Sequence, residues 1–195
     1  MTPYTYNLPM LQDFSQYIYI ENGIHPNEIQ QINDYWDAQQ SEKAVVEGGA
    51  QLMNEELRKT SILGLENGTG HKWLYDRISN YAIQQNNERY FYDIRGIFES
   101  LQLMEYQPGD FFDWHLDFGS GHSSIRKLSL TIQLSDPNDY EGGELQFMRN
   151  KDIVNAPQKK GTIIIFPSFI MHRVAPITQG KRRSIVGWIS GPPYR

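Results

Sequence analysis

The sequence predicts a mainly β fold, a sandwich or jelly roll buttressed by N-terminal helices. From Tyr90 onward the chain reads as short apolar or alternating runs, most of them separated by turn signals: Pro108-Gly109, Asp136-Pro137-Asn138, Gly142-Gly143, Ala156-Pro157 and Gly180. Helical periodicity is confined to the first half. The segment Lys127–Ser135 alternates cleanly, with Leu128, Leu130, Ile132 and Leu134 facing one way and Ser129, Thr131 and Gln133 the other. Such spacing favours an all-β roll over βαβ units. The 195 residues, 39% hydrophobic and 13% aromatic, supply a core for one domain spanning residues 1–195, with helical support in 1–89 and a β-roll core in 90–195.

The first helix starts at Pro26, whose ring suits a first turn. Glu28 complements the helix dipole, and Ile29, Ile32 and Trp36 share a face. A second helix covers Lys72 to Asn86 with Leu74, Ile78 and Tyr81 inward, and Gly48-Gly49, Gly64, Gly68 and Gly70 punctuate the stretch between the two. The expected strands are Tyr90–Ile94, Glu99–Tyr106, Phe112–Asp117, Lys127–Ser135, Glu144–Phe147, Gly161–Pro167, Met171–Ala175 and Arg183–Ser190. A strand with an apolar and a polar side, such as Lys127–Ser135, can line a pocket with its polar side.

Composition excludes several chemistries. With no cysteine there is no disulfide, thiolate metal site, iron–sulfur cluster or cysteine nucleophile, so any metal must be held by His and carboxylate. A net charge of −5 argues against nucleic acid and anionic membranes as partners, despite the local run Lys181-Arg182-Arg183. The start Met1-Thr2-Pro3-Tyr4 lacks the basic and apolar regions of a signal peptide, and the longest apolar run, Ile163–Phe166, is too short to span a bilayer. A soluble, cytoplasmic protein is the expectation.

The richest segment is Tyr106 to Asp117. On a strand, residues two apart point the same way, so His115 and Asp117 project together; Asp113 lies on that face too, while Phe112, Trp114 and Leu116 point to the other. His172 follows 57 residues after His115. Two imidazoles and one carboxylate make a facial triad, which leaves octahedral positions open as a non-haem Fe(II) oxygenase needs. After the turn Thr178-Gln179-Gly180, a hairpin would return Arg182 beside the His172 strand, where its fork suits a carboxylate.

In these residues the sequence resembles the Fe(II)- and 2-oxoglutarate-dependent dioxygenases, in their prolyl 4-hydroxylase-like branch. The resemblance runs from about Glu99 to Trp188. It includes Tyr106 nine residues before His115, Gly109 and Phe112 between them, Gly142-Gly143-Glu144-Leu145, Gly161, Pro167, Val174, Pro176 and Trp188. It implies a double-stranded β-helix, of the jelly-roll or cupin-like kind. It implies Fe(II) held by His115, Asp117 and His172, with 2-oxoglutarate and O2 as cosubstrates and ascorbate as a candidate reductant. The far carboxylate of 2-oxoglutarate would pair with Arg182 and hydrogen-bond to Tyr106. Many members carry lysine where Arg182 stands; arginine keeps the charge, and a register slip of one would substitute Arg183 as the anchor.

By alternation and family position, Thr131, Gln133, Leu145 and Val174 wall the cosubstrate pocket, and Ser184 shares the face of Arg182 and can donate to the same carboxylate. The His-x-Asp order favours Asp117 over Asp113. His122 falls in the Gly-rich loop Gly119–Ser124, a solvated position, and His25 and His71 precede helices in surface or capping roles. The loops Gly119–Ser124 and Arg149–Lys160 are the expected specificity elements. The resemblance implies hydroxylation of a prolyl or other amino-acid side chain in a peptide, a protein or a free amino acid. Two rivals differ in class. A nucleic-acid demethylase of the repair type carries two arginines well beyond the second histidine, whereas here only Arg195 lies far downstream. A non-catalytic cupin-like binding module would form no succinate.

Overall fold

Two antiparallel sheets face each other, and two helices cover the outer side of the larger one. The structure, a computed structural model, describes residues 17–43, 57–68, 70–149 and 151–194. The expectations at Met1–Tyr4 and Gly48-Gly49 lie outside the described residues. The larger sheet runs in the order β1 (Ile18–Ile20), β10 (Ile163–Pro167), β6 (Arg126–Gln133), β13 (Arg182–Ser190), β4 (Leu101–Tyr106) and β3 (Ser61–Leu65). The smaller runs β2 (Arg58–Lys59), β5 (Phe111–His115), β11 (His172–Val174), β8 (Leu145–Arg149) and β9 (Asp152–Asn155). A separate pair joins β12 (Ile177–Gly180) to β7 (Tyr140–Gly142).

The helices form where the apolar period places them: α1 (Pro26–Lys43) and α2 (Lys72–Gln85). Glu28 in the first turn of α1 accepts a hydrogen bond from the His25 backbone N–H at 2.8 Å and pairs with Arg77 of α2, which ties the two helices together. Ile29, Ile32 and Trp36 of α1 and Leu74, Ile78 and Ala82 of α2 are buried against Leu128, Leu130, Ile132, Ile163, Ile165, Ile185 and Ile189 of the larger sheet. Tyr81, expected inside, is half-buried. Burying a side chain of this size contributes ~1.5–3 kcal/mol, so this layer supplies most of the apolar stabilisation.

Several expectations fail for local reasons. Tyr90–Ile94 is not a strand. The chain leaves α2 through a π-helical turn, Asn86–Tyr90, and Phe91 sits at a φ of 54°. The Asn86 side chain then satisfies both the N–H and the carbonyl of Tyr92, at 2.9 Å each, and so takes the place of a partner strand. The expected loop Arg149–Lys160 contains β9, which folds back on β8. Strands β1, β2 and β3 of the first half are short pieces paired with β10, β5 and β4, and Gly64, expected to punctuate a turn, lies inside β3 opposite Gln102.

The expected hairpin from His172 to Arg182 does not form. After β11 the chain enters β12, which pairs with β7, turns at Gly180 (φ 74°) and crosses into the larger sheet as β13. Arg182 is therefore paired with Tyr106 of β4, not with the His172 strand.

Candidate metal centre

The site lies between the inner faces of the two sheets. His115 ends β5 and pairs with His172 at the start of β11, so one ladder position of the smaller sheet brings the two imidazoles together, with ring centroids 4.2 Å apart. Asp117 lies past the end of β5. Its backbone N–H donates to the Ser168 carbonyl at 3.0 Å, and the Arg126 guanidinium donates to the Asp117 carbonyl at 3.2 Å. Arg126 is itself fixed by an ion pair with Glu99 and by lying 3.7 Å above the Trp188 ring.

The ligand atoms of His115, Asp117 and His172 all fall within 4.8 Å of one another. One Asp117 oxygen lies 3.7 Å from His115 Nε2, and the other 3.5 Å from His172 Nε2. His115 Nδ1 is 2.7 Å from the Asp113 carbonyl, and His172 Nδ1 is 2.8 Å from the Ile170 carbonyl. A carbonyl only accepts, so each Nδ1 carries a proton and each Nε2 is turned toward the carboxylate. Burial, reinforced by the neighbouring His172, pushes His115 from an ordinary 6.5 down to about 4, which keeps its lone pair free at neutral pH. Burial alone would raise Asp117; the facing imidazoles and the Ser129 hydroxyl, which donates at 2.6 Å, outweigh it and hold the carboxyl below the usual range. Two imidazole nitrogens and a carboxylate converging on one point fit a divalent metal with open positions.

The second part is the guanidinium of Arg182, only 1% exposed. It donates to Gln133 Oε1 at 2.8 Å and to Ser184 Oγ at 3.2 Å, and it lies 5.5 Å above the Tyr106 ring. Its Nε has no partner, and among the described residues no carboxylate pairs with it. A buried charge without a counter-charge is costly, so this environment fits an incoming carboxylate. Gly143, at a φ of 66°, makes room for it: a Cβ there would sit 3.1 Å from Arg182 Cδ and 2.1 Å from Ile177 Cδ1. Burial raises the Tyr106 hydroxyl above its ordinary value, so it stays protonated and can donate.

Thr131, Leu145, Val174 and Tyr106 line one small cavity together with the triad. Gln133 and Ser184 touch Arg182. Asp113 is exposed and offers the triad only its backbone carbonyl. Arg183 points away, into Glu105 and Asp37 at 2.8 and 2.7 Å. His122 is exposed in a short 3-10 turn, Gly121–Ile125; His25 accepts from the Asn27 N–H at 3.3 Å; His71 packs edge-on against Tyr35.

One expectation is reversed. Phe112, assigned to the far face, lines the cavity and stacks on His115 with centroids 3.5 Å apart. The pairs His172↔His115 and Val174↔Phe112 enclose one more residue on β5 than on β11, so a bulge puts residues three apart on one side. Simple alternation gives no signal of it. Sequence reasoning also missed Ser129, although its place on the polar side of the alternating strand pointed to it. It missed Arg58 as well, whose position depends on a pairing between segments distant in the chain.

Residues 101–190 match the family model of the 2OG-Fe(II) oxygenase superfamily. A PKHD-type hydroxylase of Synechococcus sp. (strain CC9902) is 40% identical over 90 residues, 46% of this chain and 40% of the relative. Another, from Synechococcus elongatus, is 34% identical over 148 residues, 72% of this chain and 62% of the relative. The chain spans about half the length of the curated relatives it matches. A prolyl-4-hydroxylase of Pseudomonas putida superposes with a TM-score of 0.72 at 18% identity, covering 90% of this chain and 92% of that one. A prolyl hydroxylase of Trichoplax adhaerens, in complex with a hypoxia inducible factor peptide fragment, gives the same TM-score and identity over 90% of this chain and 84% of its own. These neighbours give the β-roll its type, the double-stranded β-helix of such oxygenases. Residues 101–190, a little under half of the chain, are thus similar to the 2OG-Fe(II) oxygenase superfamily, and the fold is similar to that of the prolyl 4-hydroxylases.

Proposed function

We propose that this chain is an Fe(II)- and 2-oxoglutarate-dependent dioxygenase that hydroxylates an unactivated C–H of an amino-acid side chain, a prolyl one first, in a peptide or protein. One observation carries the reading: three metal-binding groups converge in a cavity walled by Tyr106, and over the Tyr106 ring lies a buried guanidinium with no counter-charge among the described residues. His115, Asp117 and His172 hold the metal through Nε2 atoms and a carboxylate that are already turned inward. The Asp113 and Ile170 carbonyls and the Ser129 hydroxyl fix those orientations, so little reorganisation accompanies binding. Bound Fe(II) and 2-oxoglutarate supply the activation of dioxygen, with one oxygen atom leaving in succinate, CO2 released and the other atom inserted into the substrate C–H.

Arg182 pairs with the far carboxylate of the cosubstrate, and Gln133 and Ser184 hold its guanidinium in place. The Tyr106 hydroxyl donates to the same carboxylate. Thr131, Leu145 and Val174 exclude water from the bound chain. The peptide in the Trichoplax neighbour and the hydroxylase names of the relatives support a peptide or protein substrate. Among the described residues no helix is long and apolar enough to cross a membrane.

The test is succinate formation with purified protein. We expect release that requires both Fe(II) and 2-oxoglutarate, that rises with ascorbate, and that increases further with a prolyl peptide. No succinate under any of these conditions would overturn the reading in favour of a non-catalytic binding module.

A further inference from the structure

Arg58 is a second cation of the site that the proposed chemistry leaves unused. It lies on β2, the edge strand of the smaller sheet, held against β5 by the pairing Arg58↔Phe112. Its guanidinium lies 4.7 Å above the Phe112 ring, the same ring that stacks on His115, and it lines the cavity that holds the triad. Its only hydrogen-bond contacts among the described residues are long ones to the opposite sheet, from one Nη to Gln102 Oε1 and to Met104 Sδ, each 3.5 Å. Its Nε is buried and has no partner, and among the described residues no carboxylate comes within ion-pair distance.

The charges of a loaded site leave one cation over. A divalent metal and Arg182 balance the Asp117 carboxylate and a dicarboxylate cosubstrate, and the Arg58 charge remains. A neutral carbonyl would leave a partly desolvated guanidinium uncompensated, whereas a carboxylate matches both its charge and its fork.

We propose that Arg58 is a specificity-determining residue that binds a carboxylate carried by the substrate next to the carbon to be oxidised. This rests on the dioxygenase reading and makes a carboxylate the mark of its substrate, whether a peptide or a free amino acid. The carboxylate is either the α-carboxylate of a free amino acid or the side chain of an acidic residue beside the target.

The experiment uses the full chain loaded without oxygen with Fe(II) and N-oxalylglycine, an inert 2-oxoglutarate analogue. Three probe sets are titrated: the free L-amino acids one at a time, their N-acetyl amides, and N-acetyl dipeptide amides in which aspartate precedes each amino acid. Binding is read from calorimetry and from the change in the visible band. We expect at least one carboxylate-bearing probe to bind more tightly than its neutral counterpart, and which set it belongs to identifies the source of the carboxylate. Arg58→Gln should weaken that probe about tenfold or more and leave the neutral amides unchanged, while Arg58→Lys keeps part of the affinity. Neutral amides binding as well as carboxylates, an Arg58→Gln protein that binds like the wild type, or no probe binding at all would overturn the proposal. Failure of Fe(II) and N-oxalylglycine to give a visible band in the wild type would instead overturn the dioxygenase reading, and this proposal with it.

Discussion

The six-stranded sheet turns one face to the helices and the other to the metal centre, and the same strands build both. On β6, Leu128, Leu130 and Ile132 enter the helical core, while Ser129, Thr131 and Gln133 serve Asp117, the cavity and Arg182. On β13, Ile185 and Ile189 face the core, while Arg182 and Ser184 face the site. The strand period divides the labour: one side is apolar and sets stability, the other is polar and sets chemistry. On the second face Ser129, Gln133 and Ser184 each have a named partner, and the Nε of Arg182 stays open for a ligand. Substitutions on the two faces should therefore separate, with one set unfolding the protein and the other silencing it while folded.

The sharpest break comes at the ligands. Asp117→Ala should abolish Fe(II)-dependent succinate formation while thermal melts still show a cooperatively folded protein. Substantial turnover in this variant would reassign the ligand. On the opposite face, Ile132→Ala should lower unfolding stability by about 2–5 kcal/mol in denaturant titrations while the remaining folded protein still binds metal. Arg182→Ala should raise the 2-oxoglutarate concentration needed for half-maximal succinate release by roughly tenfold to a hundredfold, from a lost charged hydrogen bond of ~1.5–3 kcal/mol.

The polar face should also carry a pH signature that the apolar face lacks. The His115 pKa is lower in the folded protein, about 4 against 6.5, so the unfolded chain binds more protons between those values. Stability of the metal-free protein should therefore be full above about pH 6.5 and fall as the pH drops toward 4. Thermal melts across that range check this, and His115→Ala should flatten the slope. Ser129→Ala should have the smallest effect, a severalfold weaker affinity for Fe(II) measured by competition with a chelator, since it frees Asp117 from one hydrogen bond of ~1 kcal/mol.

The two faces also differ in how legible they are. The apolar face is written in strict alternation, so the Leu128-to-Leu134 pattern and the Ile29, Ile32, Trp36 stripe lead directly to the core. The triad is legible because His115 and Asp117 stand together and His172 follows in a recognisable frame. What resists reading is anything set by long-range pairing. The bulge that turns Phe112 inward arises from the register of β5 against β11, and Arg58 reaches the cavity only because β2 pairs with β5. The path of Arg182 depends on a crossover between sheets, which local turn chemistry at Gly180 permits but does not specify. Asn86 reads as an ordinary helix end, yet its side chain replaces the strand expected after it.

The central claim is most directly tested by anaerobic titration of the metal-free protein with Fe(II), followed by 2-oxoglutarate, in the wild type and in His172→Ala. The account predicts one tightly bound ferrous ion per chain and a visible absorption band on adding 2-oxoglutarate, both lost in the variant. Equal metal uptake by the two proteins, or a wild type that stays colourless with both additions, would contradict it.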